Sequence, residues 1–298
     1  MKRLSRTGIE YGDYAWNFYP GCLHQPQGIC PVTNCWAEGM SKRQRQDFHQ
    51  PQLLPERLLL PLTIKKPARI LVNFMGDLFG DWVDPNQHIR LGDIGTPPAV
   101  TEDMETPLKG FIFQVIQQCP QHTFIFLTKR PENLIKWSPF PENCWVGVTV
   151  WDNETFFRAI YTQPPYGIGL KAVRAKHKWL SIEPLLGQIH IKTQDLTGID
   201  WLVIGAQTGY KGKLVEFQKT HPALQLVKLS ADGSQYVLLP PLEWVREIVE
   251  AANAVGIPVW LKDNLYKLLM ERPAEDHDLY WEDMANQRQE LPDRKVKV

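Results

Sequence analysis

Short, nearly continuous apolar runs recur along this chain, and they constrain its fold more than any other feature. Six runs end in polar or glycine residues, and they cover 68–79, 123–131, 144–153, 177–187, 200–209 and 257–264. Runs of this length, rich in Ile, Val, Phe and Trp, are typical of strands that are buried on both faces. A further strand is predicted over residues 15–21, directly before a loop rich in cysteine.

Helical patterns lie between some of these runs. Residues 108–119 and 241–256 each place apolar side chains on one stripe, and the second segment has Pro241 near its start and Gly256 at its end. Alternation of strand and helix is typical of parallel sheets with right-handed crossovers. We therefore predict an α/β fold with a partial or full parallel β/α (TIM-like) barrel of six to seven strands. An open doubly wound sheet is the alternative, although no GxGxxG motif follows the first strand.

The length of the chain bears on its domain organisation. With 298 residues, 43% of them hydrophobic, the chain can bury one large core, and we predict a single domain over 1–298. Two stretches interrupt the alternation of strand and helix. Residues 92–107, rich in Pro, Gly and acidic side chains, are predicted as a surface insertion, and residues 210–241 as a longer insertion or lid.

The charge balance excludes a strongly basic or acidic protein. Lys and Arg number 33, as do Asp and Glu, so there is no overall electrostatic footprint for nucleic acid or an anionic membrane. The run 41–46 is a local basic patch, or simply a solvated helix face. No apolar run approaches the ~20 residues that span a bilayer, and the N-terminal residues lack the apolar region of a secretory signal. We expect a cytoplasmic protein that does not bind membranes.

Three of the five cysteines, Cys22, Cys30 and Cys35, fall within fourteen residues of each other. In a reducing compartment such a cluster indicates metal ligands rather than disulfides. Three thiolates can hold zinc if a fourth ligand such as His24 completes a tetrahedron, or they can hold three irons of a [4Fe–4S] cluster. The spacing of seven and then four residues fits neither common pattern well, so it indicates a metal and leaves its identity open. The other two cysteines, in apolar contexts, are predicted to be core residues.

Polar residues follow the predicted strands at the point where each strand ends. Ligands of parallel α/β folds gather at the carboxyl ends of the strands, so we expect these residues to line a site. They are Asn73, Asp77, Thr128, Lys129, Arg130, Thr149, Asp152, Asn153, Glu183, Gly205, Gln207, Gly209, Lys262 and Asp263. Glu183 directly ends an apolar run and is expected to be partly buried. The alternative is that these are ordinary loop residues, with Asp77, Asp152 and Asp263 as helix N-caps.

Several blocks together carry a resemblance to a known family. In chain order they are GC…C…NCWAE, LVNFMGDLF, LTKRP, GVTVWDN, LSIEPLLG, DWLVIGAQTG and IPVWLKD, between about residue 9 and residue 264. This order resembles a phage-associated, radical-SAM-like protein family of unknown function. The resemblance implies a β/α barrel of the radical-SAM type. The sequence departs from the family in the four residues between Cys30 and Cys35, where two are more usual, and in Gln207, where an acidic residue is usual.

The resemblance also implies a chemistry. Cys22, Cys30 and Cys35 would bind a [4Fe–4S] cluster whose open iron is chelated by S-adenosylmethionine. An electron donor such as a flavodoxin or ferredoxin would reduce the cluster, and cleavage of the sulfonium would yield a radical that abstracts hydrogen from the substrate. The phage association implies that the unidentified substrate is a nucleic acid or a nucleotide.

Residue roles follow from the same resemblance. The cofactor would lie against residues at the strand ends, namely Asn73, Gly76 and Asp77 near its methionine part, Thr149 and Asp152 near the ribose, and Gly205, Gln207 and Gly209 near the adenine. The candidate catalytic residues are Glu183, Lys129 and Lys262. Two other functions stay open: a non-catalytic module in which zinc or a cluster only stabilises the loop, and a barrel hydrolase or transferase whose thiols bind no metal.

Overall fold

The computed structural model describes residues 3–32, 35–90, 92–94, 104–161, 168–229, 235–270 and 288–292. The strands are β1 (Ser5–Arg6), β2 (Tyr14–Trp16), β3 (Arg69–Val72), β4 (His88–Arg90), β5 (Glu105–Pro107), β6 (Thr123–Thr128), β7 (Cys144–Thr149), β8 (His177–Ile182), β9 (Trp201–Ile204), β10 (Gln207–Tyr210), β11 (Gln225–Lys228), β12 (Gln235–Leu239) and β13 (Val259–Leu261). The α-helices are α1 (Trp36–Arg43), α2 (Leu108–Gln117), α3 (Leu134–Trp137), α4 (Asn153–Ile160), α5 (Lys211–Gln218), α6 (Leu242–Ala254) and α7 (Tyr266–Met270).

A largely parallel sheet confirms the predicted α/β fold of the partial-barrel type. Its eight strands follow the order β1-β2-β3-β6-β7-β8-β9-β13. The pairs β2–β3, β3–β6, β8–β9 and β9–β13 are parallel, and β1–β2 is antiparallel. The sequence predicted six to seven strands. It missed β1, which has only two residues, both exposed, and therefore leaves no apolar pattern to detect.

The chain divides into two compact units. The first contains Met1–Cys30, Trp36–Gly147 and Ala172–Lys176, and the second contains Pro31–Cys35, Val148–Lys171 and His177–Val298. The organisation as a single domain stays a prediction.

The core of the first unit is built on β3 and β6, which are paired in register from Arg69 opposite Thr123. Ile70 and Phe124 are fully buried, as expected for strands whose successive side chains are apolar on both faces. The predicted helix over 108–119 forms α2, and its apolar stripe is buried. The strand β5, at the end of the interrupting stretch, pairs antiparallel with β4, while residues 95–103 lie outside the described part of the chain.

The core of the second unit is built on β8, β9 and β13. Trp179 and Trp201 pack against each other, with ring centroids 5.1 Å apart. The predicted helix forms α6, preceded by Pro241 and followed by Gly256 with a positive φ of 70°, as its sequence signals indicated. Far along the chain, residues 288–292 return to the edge of the sheet, where Gln289 forms an antiparallel bridge to Trp260.

The apolar run 200–209 forms two strands rather than the single strand that we predicted. The strand β9 ends at Ile204, and residues from Gln207 onward belong to a separate antiparallel sheet in the order β10-β12-β11. The chain turns at Ala206, whose N–H and C=O bond to the side chain of Asn264 at 3.0 and 2.9 Å. Helix α5 packs on this small sheet through Leu214 and Phe217. Residues 230–234 lie outside the described residues.

Candidate functional site

The cysteine loop begins where two backbones meet in the first unit. Gly21, with a positive φ of 103°, donates its N–H to the carbonyl of Met75 at 3.0 Å and forms a parallel bridge to Gly76. A Cβ at position 76 would lie 2.5 Å from the carbonyl oxygen of Gly21. Both positions therefore require glycine, because any side chain would force the loop away from the segment that follows β3.

Asn73 closes the end of β3 and leaves one buried donor unused. It adopts a left-handed φ of 56°, which Asn tolerates better than most residues. Its Oδ1 accepts the N–H of Tyr19 at 2.9 Å. Its Nδ2 is buried and has no hydrogen-bond partner among the described residues, so a donor is available here for a bound acceptor.

Asp77 is the centre of a buried hydrogen-bond network in the first unit. Its carboxylate accepts the N–H of Phe79 at 2.9 Å and lies 2.7 Å from Nε2 of His24. It also accepts the hydroxyl of Thr128 at 2.8 Å and the N–H of Lys129 at 3.0 Å. Burial raises the pKa of Asp77, but the histidine and the two backbone donors outweigh it and hold the pKa below its ordinary 3.8. Asp77 is therefore an ionised acceptor and not a helix N-cap.

The backbone of Cys22 is held on both sides. Its N–H donates to the carbonyl of Phe48 at 2.8 Å. Its carbonyl oxygen lies 3.2 Å from Nδ1 of His49, and because a carbonyl only accepts, this nitrogen carries the proton. The opposite ring nitrogen of His49 lies 3.8 Å from the carboxylate of Glu38. The loop is thus fixed at the first cysteine by contacts that come from α1 and the segment after it.

The thiol of Cys22 lies in a charged neighbourhood. Burial raises its pKa to about 12, and the N–H of His24 opposes this shift. The carboxylate of Asp77 raises the pKa, the ammonium of Lys129 lowers it, and the thiol of Cys30 raises it. These influences place Cys22, Cys30 and the candidate residues Asp77 and Lys129 in one neighbourhood, as we predicted from the strand ends.

The three thiols have the donor chemistry of an iron–sulfur site. Cys22, Cys30 and Cys35 are partly exposed, and thiolate is the ligand that such clusters use. In the described ranges, however, no three His, Cys, Asp or Glu side chains are grouped so that they could hold a metal ion. Cys35 belongs to the second unit, and residues 33–34 before it are not described. The donor set fits a cluster.

The two remaining cysteines are core residues, as predicted. Cys119 and Cys144 are buried, and burial raises the pKa of both thiols. Neither belongs to the cysteine loop.

Ion pairs and hydrogen bonds hold the side chains of the segment that follows β6. Arg130 pairs with Asp81 at 2.5 Å and with Glu132 at 3.0 Å. Asn133 donates to the carboxylate of Asp81 at 2.8 Å. Burial raises the pKa of Asp81, but the hydrogen bonds from Asn133 and Arg130 and the charge of Arg130 together lower it. Arg130 is therefore held by ion pairs to two carboxylates of the first unit.

The second unit brings two of the candidate catalytic residues together. Nζ of Lys262 lies 2.7 Å from Oε1 of Glu183, and both side chains are largely buried, so the expected burial of Glu183 is confirmed. A Cβ at Gly205 would lie 3.1 Å from the side chains of both residues. The absence of a side chain at Gly205 therefore leaves the room that this ion pair occupies. The third candidate, Lys129, belongs to the first unit.

Two buried side chains of the second unit have unused hydrogen-bonding atoms. Oγ1 of Thr149 and Oε1 of Gln207 have no partner within the described ranges. The amide nitrogen of Gln207 donates to the carbonyl of Thr208 at 2.8 Å. Gly209 lies on β10, opposite Tyr236. A buried polar atom without a partner is costly, so Thr149 and Gln207 stay candidates for binding a polar ligand.

Asp152 has a structural role. Its carboxylate accepts the N–H of Thr155 at 2.8 Å and caps the first turn of α4, while the hydroxyl of Thr155 accepts the N–H of Asp152 at 3.1 Å. This reciprocal arrangement is a capping box. The N-cap alternative is thus confirmed for Asp152, and a role in binding a ribose would be additional.

Sequence reasoning missed several residues of these sites. His24 was considered only as a zinc ligand, whereas its Nε2 bonds to Asp77. Its position inside the cysteine loop was the one available signal. The contacts of His49 and Asn264 are long-range and left no signal in the sequence.

No helix within the described residues is both long enough and apolar enough to pass through a bilayer.

The fold and the site define a class: an α/β protein on a largely parallel sheet of the partial-barrel type, with a loop that carries three cysteines. The chain belongs to the family described as "Protein of unknown function (DUF5131)", which matches residues 6–94 and 99–221. No curated protein is close enough in sequence to count as a relative.

Two solved structures are similar to the chain in fold. One is a cysteine-to-alanine mutant of spore photoproduct lyase with dinucleoside spore photoproduct, at 10% identity and a TM-score of 0.50. The other is spore photoproduct lyase complexed with the same compound, at 10% identity and a TM-score of 0.49. Each match covers 87% of this chain and 79% of the other. At this identity the likeness extends to the fold and no further.

Proposed function

We propose that this protein is a radical-SAM-like enzyme that binds a [4Fe–4S] cluster and S-adenosylmethionine and starts its reaction by abstracting hydrogen from its substrate. The observation that carries the proposal is the environment of Cys22. This free thiol neighbours Cys30 and the strand-end residues Asp77 and Lys129. The motif order, and the likeness in fold to a lyase of the radical-SAM class, support the same chemistry.

The proposed cluster ligands are Cys22 and Cys30 of the first unit together with Cys35, the last assigned from the sequence alone. When bound, the cluster supplies the electron that cleaves the sulfonium of S-adenosylmethionine. The protein orients the cofactor. Asn73 offers its unused Nδ2 donor to an acceptor such as a carboxylate, while Gly76 lets the segment after β3 lie directly against the loop.

The second unit offers groups for the nucleoside part of the cofactor and for the substrate. Thr149 and Gln207 present unused, buried oxygen atoms, which can bond to hydroxyl or amino groups. Glu183 and Lys262 present an acceptor and a donor side by side. We propose that this pair orients the group from which hydrogen is taken, and that Lys129 is a catalytic residue of the first unit.

We propose a nucleic acid or a nucleotide as the substrate, and a flavodoxin or ferredoxin as the electron donor. The lyase of similar fold holds a dinucleoside. In this chain the residues 42–46 after the cysteine loop are all exposed, with Lys42 paired to Glu38 at 2.6 Å. A labelled single-stranded oligonucleotide should bind to wild type more weakly as the salt concentration rises. At a fixed salt concentration it should bind the variant Arg43→Glu/Arg45→Glu more weakly than wild type. Equal binding by wild type and variant would exclude this surface as the binding site for nucleic acid.

The decisive experiment for the enzyme is anaerobic iron and sulfide analysis with a visible spectrum. Wild type should hold about four irons, and S-adenosylmethionine should perturb the spectrum. Cys30→Ala should lose the iron. Cys119→Ala removes a buried thiol of the same unit outside the loop and should keep it. A colourless protein that holds zinc would favour the non-catalytic module, and a protein without metal would favour an ordinary barrel enzyme.

A further inference from the structure

We propose that His24 is a positioning residue. It fixes the cysteine loop to Asp77, so that Cys22 and Cys30 are held in place before any metal binds. The importance of these thiols rests on the proposed function, but the attachment of the loop can be tested without it.

The contacts of His24 reach both cysteines of the first unit. The residue is 2% exposed, and its Nε2 lies 2.7 Å from Oδ2 of Asp77. Its backbone N–H donates to Sγ of Cys22 at 3.5 Å. Its carbonyl accepts the N–H of Cys30 at 3.2 Å and that of Ile29 at 2.8 Å. One residue thus connects the loop to Asp77 through its side chain and to both thiol-bearing residues through its main chain.

Asp77 is a firm attachment point because the strand ends hold it independently of the loop. The hydroxyl of Thr128 and the N–H of Lys129 both donate to its Oδ2, and the N–H of Phe79 donates to its Oδ1. Hydrogen bonds to an ionised, buried acceptor are short and directional. His24 is the donor to this carboxylate that comes from the cysteine loop.

The surroundings of the His24 imidazole favour one orientation of the ring. Trp82 packs edge-on against the ring, with centroids 4.9 Å apart, and Nδ1 of His24 is buried without a partner in the described part of the chain. A rotated ring would place a C–H group against Asp77 and remove the imidazole donor from this buried carboxylate, which is costly. The orientation of the His24 ring is therefore set by its bond to Asp77.

The same unit offers a matched control. His122 is equally buried, and its Nε2 donates to the carbonyl of Ile64 at 3.0 Å. Within the described residues, none of its hydrogen bonds reaches the cysteine loop or Asp77. Replacing either histidine by glutamine removes a buried ring and a hydrogen bond, but only His24→Gln removes the attachment of the loop.

The test measures alkylation of individual cysteines by iodoacetamide in metal-free protein, read by mass spectrometry. In His24→Gln and Asp77→Asn we expect Cys22 to react about tenfold faster or more, the factor equivalent to about 1.4 kcal/mol. The buried core thiol Cys144 serves as an internal reference for general unfolding and should not change. His122→Gln should leave the ratio of the Cys22 rate to the Cys144 rate at its wild-type value.

Iron content after anaerobic reconstitution is the second measurement, and it should fall in His24→Gln and stay at the wild-type level in His122→Gln. The proposal is overturned if the alkylation ratio is unchanged in His24→Gln, or if it rises as much in His122→Gln. A wild-type protein that binds no cluster would contradict the proposed function instead, and the alkylation ratio would still decide the role of His24.

Discussion

Nζ of Lys262 lies 2.7 Å from Oε1 of Glu183, with the two side chains 13% and 25% exposed. The pair joins the end of β8 to the end of β13, beside the glycine that follows β9. Ion pairs withdrawn from water are screened less than those on the surface, so this pair should be stronger than the exposed pairs of the same unit.

A double-mutant cycle with Glu183→Gln and Lys262→Met should measure a coupling of about 1–2 kcal/mol in the free energy of unfolding. The matched control is the pair of Glu216 and Lys219, which are 74% and 65% exposed. Its coupling should be below about 0.5 kcal/mol. Urea denaturation provides all the values, and equal couplings for the two pairs would contradict the expectation.

Gly76→Ala should destabilise the first unit. The added Cβ would lie 2.5 Å from the carbonyl oxygen of Gly21, and since this obstacle is backbone, the loop itself must move. We expect a loss of about 1–3 kcal/mol. Gly110→Ala, in the interior of α2 with open space around the new methyl group, should be neutral or stabilising by up to about 1 kcal/mol. Thermal unfolding of both variants checks the difference, and a stable Gly76→Ala protein would rule out the close contact.

Asp152→Ala should cost about 1 kcal/mol of stability because the N-cap of α4 is lost. Asp152→Ser retains a capping oxygen and should be close to wild type in stability. Calorimetric binding of S-adenosylmethionine to the two variants then separates the roles. A serine variant that is stable but binds the cofactor weakly would support a ligand contact, whereas normal binding would leave capping as the role of Asp152.

The stability of the second unit should decline in alkaline solution through Tyr161. Its hydroxyl donates to Asp195, and this bond, with burial and the negative charge, raises the pKa of Tyr161 from 10.0 to about 12. Because the pKa is raised in the folded state, the protonated hydroxyl contributes its full stabilisation below pH 10. This stabilisation is lost as the pH rises towards 12. Between these values the melting temperature of wild type should fall more steeply than that of Tyr161→Phe. Parallel curves would contradict this assignment.

Glu290→Ala should destabilise the edge of the sheet. The buried carboxylate of Glu290 accepts the N–H of Val259 at 2.8 Å and Nε of Arg288 at 2.7 Å. Its removal takes this acceptor from the N–H of Val259 and from Nε of Arg288, at a cost of about 3 kcal/mol. Glu250→Ala, at an exposed position of α6, should change the stability by less than about 0.5 kcal/mol. Chemical denaturation of the two variants makes the comparison.

The sequence predicted those parts of the fold that are specified by residues close together in the chain. The strands β6 and β7 are unbroken apolar runs, and α6 has Pro241 and Gly256 at its ends, so a few adjacent residues define each element. The neighbourhood of Asp77 and Lys129 followed from a general rule, because the carboxyl ends of parallel strands meet at one edge of a sheet.

The parts that could not be predicted depend on contacts between distant residues. Asp77 lies 53 positions from its partner His24, and no local pattern distinguishes a buried acceptor from a helix cap. Likewise the turn at Ala206 is set by Asn264, 58 positions away, so a run that is locally one strand becomes two. The pairing of Gln289 with β13 lies outside any apolar pattern.

The return of residues 288–292 to β13 has a consequence for how the protein is made. Because ribosomes produce the chain from its N-terminus, Val259 and its neighbours leave the exit tunnel before Glu290 leaves it. During that interval β13 presents unpaired amide groups on its outer side, a template for strands of other nascent chains. Aggregation should therefore be most frequent where many nascent chains lie close together on a polysome. The risk of aggregation ends when Glu290 emerges and bonds to Val259.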